Sequence, residues 1–253
     1  MADRLVNIAD GFWNIRGSFK IGGVVDIGTH ASLARLADGG FALLDSYTLT
    51  GDVLDEVMKL TDQGAAVRCI LNLHPFHTIH VRAMTAQFPG AALYGTARHV
   101  EKAPELDWDP LRVEDPALHG QFADDFAFSV PRGVDFISKN EKLHFSSVLV
   151  LHRASRTLHV DDTLTWTPLP IVGGLAWHPT LKQVLERRPG AAADFRAWAD
   201  EFIALCGDAD HLCTAHTRQL PPNGLSGTSI ADRVRAALSK VDKVLARHER
   251  KHG

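Results

Sequence analysis

Three histidines stand within seven residues, in Leu71-Asn72-Leu73-His74-Pro75-Phe76-His77-Thr78-Ile79-His80. Neutral imidazole is the commonest metal ligand among side chains, and its proton affinity lies close to neutral pH. The residues before the cluster, Val67 to Leu73, are apolar and partly β-branched, the composition of a short buried strand. Those after it, Val81 to Phe88, suit a helix that stops at Pro89-Gly90. The histidines therefore sit where a strand hands over to a helix. Layered α/β proteins collect ligands and catalytic groups at that end of their strands.

The elements that must position such a cluster can be read along the chain. Strand-like runs occur at Phe12 to Ile15, Gly22 to Ile27 and Ala31 to Leu36. Asp38-Gly39-Gly40 reads as a hairpin turn, because glycine accepts positive φ. Phe41 to Leu44 then forms a strand that closes on Asp45. Gly51 to Gln63 carries Val53, Leu54, Val57, Met58 and Leu60 at helical spacing and ends at Gly64. Phe145 to Leu151 and Thr157 to Val160 predict a hairpin about Ala154-Ser155-Arg156, closing on Asp161-Asp162. Phe195 to Leu205 is a helix with Phe195, Trp198, Ala199, Phe202 and Leu205 on one face. His211 to Ala215 is a strand closing on His216, and Ile230 to His248 a long amphipathic helix. Ala103 to Asp135 reads as long loops with short elements, and with Thr167 to Thr180 it is expected to shape the mouth of a site. Trp108, Trp166 and Trp177 fall in or near those loops, as pocket lining or as satellite core.

Four strand ends thus carry a metal-competent residue: Asp45, His74, Asp162 and His216. They are far apart in sequence and converge only if their strands lie side by side and finish at one edge.

Composition narrows the partners. A chain of 253 residues with 45% apolar residues can bury a sizeable core. A net charge of −3 does not point to nucleic acid or an anionic membrane. No run approaches the roughly 20 apolar residues of a membrane span. The polar start, Met1-Ala2-Asp3-Arg4, lacks a signal-peptide core. The three cysteines, Cys69, Cys206 and Cys213, are few and odd in number, and two lie in apolar runs. Buried free thiols and a cytoplasmic setting are expected.

From about Gly11 to about Leu220 the chain resembles the metallo-β-lactamase-fold superfamily. Asp38-Gly39-Gly40-Phe41-Ala42-Leu43-Leu44-Asp45 is similar to that family's early hairpin and strand. Leu71 to His80 falls at its first histidine cluster, and Leu143-His144-Phe145-Ser146-Ser147-Val148 at the next histidine. Arg156 to Leu164 resembles the strand ending in a Gly-Asp pair, with Asp162 at the metal-bridging aspartate. Leu212-Cys213-Thr214-Ala215-His216 resembles the strand that supplies the last histidine. The resemblance implies a four-layer αββα sandwich over residues 1–253, with a C-terminal amphipathic helix at about 228–250. It implies a metal at His74, His77, His80, His144, Asp162 and His216, with Asp162 and His77 at the chemical centre. Zinc is the expected ion, with iron or manganese as alternatives, and the expected chemistry is hydrolysis of a small ester, thioester, lactone or phosphoester.

The sequence departs from the family in its first cluster. The family pattern is His-x-His-x-Asp-His; here it is His-x-x-His-x-x-His, and Thr78 and Ile79 leave no aspartate inside it. The segment at His144 is one residue short, and Asp161 replaces the glycine before Asp162. His152 and the following Arg153 to Leu158 resemble a side branch with altered metal motifs. At most one tightly bound ion and weak activity on β-lactams are expected. The alternative is a fold relative without catalysis that binds a small molecule or a protein partner.

Each site residue also has a plain structural reading. His74 can cap the helix that starts at Pro75. His77 and His80 share a helix face and suit a surface. Asp45 reads as a hydrogen-bond acceptor, Asp161 as a support for a ligand histidine, and His178 as a loop residue near the groove. His30, His99, His119, His152, His211, His248 and His252 read as scaffold or surface.

Overall fold

Alternating side chains along the strands bury both faces of two sheets. The computed structural model describes residues 3–21, 24–167, 174–216 and 227–253. The first half runs β1 (Arg4–Ala9), β2 (Phe12–Gly17), β3 (Lys20–Ile21), β4 (Val25–Asp26), β5 (Thr29–Arg35), β6 (Phe41–Leu44), α1 (Gly51–Leu60), β7 (Val67–Leu71), α2 (Val81–Gln87), β8 (Ala92–Gly95), α3 (Ala97–Lys102) and β9 (Trp108–Arg112). The second half runs α4 (Pro116–Gln121), β10 (Phe126–Ser129), β11 (Leu149–His152), β12 (Thr157–Val160), β13 (Leu164–Thr167), β14 (Gly174–Trp177), α5 (Leu181–Val184), α6 (Ala191–Leu205), β15 (His211–Thr214) and α7 (Ile230–His252). Among the described residues the strand order is β1-β2-β5-β6-β7-β8-β9 in one sheet and β10-β11-β12-β15 in the other. Both sheets are mixed: β6, β7, β8 and β9 pair in parallel, as do β12 and β15.

Three apolar layers hold this stack. Trp13, Ile15, Leu33, Leu43 and Ile70 face Val53 and Val57 of α1 and Met84 of α2. Phe12, Ala34, Ala42, Leu44 and Leu71 meet Phe126, Val150 and Cys213 of the second sheet. Leu149, Leu158, Val160 and Leu212 face Phe195, Trp198 and Phe202 of α6 and Val234, Ala237 and Leu245 of α7. The order is helices, sheet, sheet, helices, the αββα sandwich expected from the sequence. All three cysteines are buried free thiols, and no described helix is long and apolar enough to cross a membrane.

Several readings need correction. The expected loops between Ala103 and Asp135 include β9, α4 and β10, the edge strands of the two sheets. The expected loop Thr167 to Thr180 contains β14, while residues 168–173 lie outside the described residues. So do Gly22 and Gly23 of the expected strand Gly22 to Ile27, and residues 217–220 at the end of the family match. The strand expected from Phe145 begins only at Leu149. Of the two readings of the tryptophans, core packing holds: Trp166 and Trp177 pack in the second-sheet core, and Trp108 of β9 lies tilted beside His99 of α3; none lines the groove described below.

Gly133 fixes how α6 meets the loop after β10. Its φ is +71°, and a Cβ there would lie 2.0 Å from the Ala191 carbonyl oxygen in the first turn of α6. Backbone cannot retreat as a flexible side chain does. Gly133→Ala is expected to cost about 1–3 kcal/mol, read as a lower urea midpoint. An unchanged midpoint would show that α6 moves freely.

Candidate metal centre

Parallel pairing brings the strand ends together. Val160 pairs with Thr214, so Asp161-Asp162 and Ala215-His216 leave the second sheet at one edge. Leu44 pairs with Leu71, so Asp45 and the histidine segment leave the first sheet side by side. Asp45 has φ 60°, the left-handed region that few residues other than glycine adopt. That turn aims its Oδ1 at the Leu73 and His74 amides, 2.8 and 3.3 Å away. The carboxylate thereby holds the loop that carries the histidines.

Asp162 is the centre of the site and is 3% exposed. Its Oδ1 lies 3.0 Å from His216 Nε2. Its Oδ2 lies 3.4 Å from His74 Nε2, 3.6 Å from His77 Nε2 and 3.7 Å from His144 Nδ1. Burial alone would push this carboxyl up, but His144, His216 and His77 outweigh it and hold it well below the usual carboxylate range. Asp162 in turn raises His144; His216 is also raised, because Asp162 outweighs the effect of burial.

The outer nitrogens decide what the inner ones offer. His144 Nε2 donates to the Glu141 carbonyl at 2.8 Å, and His216 Nδ1 to the Gly28 carbonyl at 2.7 Å. Each bond fixes a neutral tautomer whose remaining lone pair faces Asp162, the arrangement in which metal-binding histidines are held. A lone pair facing a carboxylate is unfavourable unless a proton or a metal ion lies between them. Asp162 Oδ1 and His74 Nε2 are buried without a hydrogen bond. His77, His144 and His216 thus converge on Asp162, nitrogen and oxygen donors of the kind a divalent ion takes. His74 is placed with them, yet its Nδ1 accepts the Phe76 amide at 3.2 Å, which leaves the proton on the inner nitrogen of the neutral ring. Burial pushes its proton affinity well down. Donor atoms of His74, His77 and Asp162 lie within 4.8 Å of one another.

His80 stands apart from Asp162. Its Nδ1 bonds to Thr48 Oγ1 at 2.8 Å, its ring packs on Tyr47, and it lines the groove. His178 bonds to Thr180 Oγ1, which donates to the His144 carbonyl and so steadies that segment. The groove above the cluster has a volume of about 260 Å³. His77, His144, Asp162 and His216 form its polar side, and Phe19, Phe76 and Ile79 its apolar side.

No protein-family model matches the sequence, and no curated protein matches it either. Solved structures do. The chain aligns with a metallo-β-lactamase from Pontibacter korlensis at TM-score 0.58 and 12% identity, over 97% of this chain and 99% of that one. It aligns with TMB-1 at TM-score 0.63 and 10% identity, over 96% and 98%. The mono-zinc form of FIM-1 from Pseudomonas aeruginosa aligns at TM-score 0.58 and 11% identity, over 95% and 96%. The fold is that of the metallo-β-lactamases. In this fold the chain carries a candidate metal-binding cluster of histidines and aspartates at the edge of the sandwich.

Behind that cluster lie residues that sequence reasoning passed over. His30, read as scaffold, is 1% exposed and lies 3.2 Å from Asp161 Oδ1. His159, weighed neither as ligand nor as scaffold, is fully buried and lies 3.0 Å from Asp45 Oδ2. The signal was alternation: Thr157 and His159 share one face of β12, opposite Leu158 and Val160, and Asp161 follows the strand in the same phase.

Proposed function

We propose that the protein is a metal-dependent hydrolase acting on a small ester, thioester, lactone or phosphoester. The observation that carries this reading is the orientation of His144 and His216, whose outer nitrogens are bonded to backbone carbonyls while their inner nitrogens face Asp162. His77, His144, Asp162 and His216 would hold the ion, and zinc suits a mixed nitrogen and oxygen set. When bound, a divalent ion polarises the bond under attack and lowers the pKa of water to about 7.

The chain supplies the rest. Asp162, kept ionised by the surrounding rings, supplies negative charge at the floor of the groove to offset a divalent ion. His77 is 20% exposed and flanks Asp162 on the groove side. The apolar wall of Phe19, Phe76 and Ile79 suits a substrate with an apolar acyl or leaving group, and the groove volume suits a small molecule.

The test is metal content and turnover of the full chain. His216→Ala is expected to lose far more bound metal than His248→Ala, since His248 lies on α7 and bonds the Glu186 carbonyl. Esters, thioesters and lactones should be hydrolysed faster than a chromogenic cephalosporin. Equal metal retention by both variants would sink the site. Ile79, where the family pattern has a carboxylate, favours a second reading as a non-catalytic binder. A metal-free protein after zinc-supplemented expression would support that reading instead.

A further inference from the structure

The interior behind His77 holds a second set of donors that the hydrolase reading does not use. On the inward faces of β2 and β5, apolar residues give way to polar ones toward the site. Phe12 is followed by Asn14, and Ala34 is preceded by Ser32 and His30. The facing strand β12 answers with His159 and then Asp161. Asn14, Ser32, His159 and Asp161 are fully buried, and His30 and Asp45 are 1% exposed. So dense a polar group between two sheets needs every charge compensated.

Asp161 is the hub. Its Oδ1 lies 3.2 Å from His30 Nε2 and 3.6 Å from His77 Nδ1, and its Oδ2 lies 3.9 Å from His159 Nε2. Asp45 Oδ2 lies 3.0 Å from the same His159 nitrogen. Donor atoms of His30, His159 and Asp161 lie within 4.8 Å of one another, and so do those of Asp45, His77 and Asp161. Such spacings suit atoms that each lie about 2.0–2.2 Å from one ion. Asp161 Oδ2, buried in the middle, has no hydrogen bond.

Two carboxylates this deep repel unless a proton or a metal ion joins them; burial and the neighbouring Asp45 push the Asp161 carboxyl well up. Among the described residues their ion pairs are all to histidines. The buried Arg16 bonds instead to Asn14 Oδ1 and the Thr214 and Ala215 carbonyls. His30 and His159 stack with centroids 4.3 Å apart at 6°, so protonating both rings would set two cations face to face.

We propose an interior divalent-cation site centred on Asp161, with Asp45 and His159 as its other donors and the His30 N–H bonded to Asp161 behind it. It is separate from the Asp162 centre; His77 stands between the two, and its neutral ring has one lone pair for the Asp162 centre and one N–H toward Asp161. Strand ends thus supply the carboxylate that the first histidine cluster lacks, and the proposal takes two ions where the sequence suggested at most one. An ion here ties β5 and β6 of one sheet to β12 of the other. It is out of reach of substrate, so its role is to hold His77 and the two sheets.

Elemental analysis of the full chain after zinc-supplemented expression and dialysis tests this, beside Asp161→Asn and His216→Ala. The parent should hold about one equivalent more than Asp161→Asn, and His216→Ala should keep the interior ion while losing the other. Cadmium NMR of the substituted parent should show two resonances, one unmoved by His216→Ala. A single resonance that vanishes with His216→Ala, with Asp161→Asn holding as much metal as the parent, would overturn the interior site; the two carboxylates would then share a proton. If Asp161→Asn does not fold, the number of cadmium resonances in the parent decides. Metal lost on Asp161→Asn but not on His216→Ala would overturn the Asp162 centre alone, and a metal-free parent would overturn both.

Discussion

Asp162→Ala is expected to weaken metal binding by more than the roughly 10–100-fold lost when a supporting residue is removed, and to abolish hydrolysis. Asp162 is the only carboxylate in reach of His74, His77, His144 and His216 together among the described residues. Without it four imidazole rings converge with no negative charge to offset a divalent ion. Asp162→Asn separates charge from shape. It keeps the side chain's volume and loses the charge, so it should resemble alanine in metal affinity and the parent in thermal midpoint. Competition with a chromophoric chelator measures metal affinity, turnover of a small thioester measures hydrolysis, and thermal unfolding gives the midpoint. Parent-like affinity in Asp162→Asn would show that the histidines alone hold the ion and that the carboxylate has another task.

The convergence of Asp45, His74, Asp162 and His216 was legible because each ends an apolar run, and runs of that kind become neighbouring strands. The interior cluster was not, for a reason rooted in layering. Along β12 and just past its end, Thr157, His159 and Asp161 alternate with Leu158 and Val160, a pattern that in a sheet with one wet face puts the polar residues in water. Here a second sheet covers that face, so the polar side is the deepest part of the molecule. One strand's pattern cannot report what lies over it. The same limit hid Asn14, His30 and Ser32. The edge strands β9 and β10 were lost differently. Pro110 lies within β9 and reads as a turn, yet it is tolerated because β9 is the last strand of its sheet. His80 shows the reverse error of spacing: three residues after His77, it turns to Thr48 and Tyr47 rather than to Asp162.

Trp198→Ala is expected to destabilise the protein by about 3–5 kcal/mol, the usual cost of deleting a large buried aromatic side chain. Trp198 is 1% exposed at the middle of α6. Its ring lies 5.3 Å from Phe195, 5.5 Å from Trp177 and 5.7 Å from Phe202, centroid to centroid. Its Nε1 donates to Ser129 Oγ on β10 at 2.9 Å, so one side chain joins α6 to the edge of the second sheet. Alanine leaves a void among these rings and an unpartnered hydroxyl, and the thermal midpoint should fall by about 6–20 °C at this chain length. Trp198→Phe keeps most of the aromatic packing and should lose clearly less. Leu158, Val160 and Leu212 sit in the same core and lead into Asp162 and His216, but Trp198 touches neither site residue. Below the midpoint, metal affinity should therefore match the parent's. A midpoint drop under about 2 °C would show that α6 does not hold the second sheet, and a lower metal affinity in the folded variant would show that the core beneath β12 and β15 sets the position of the ligands.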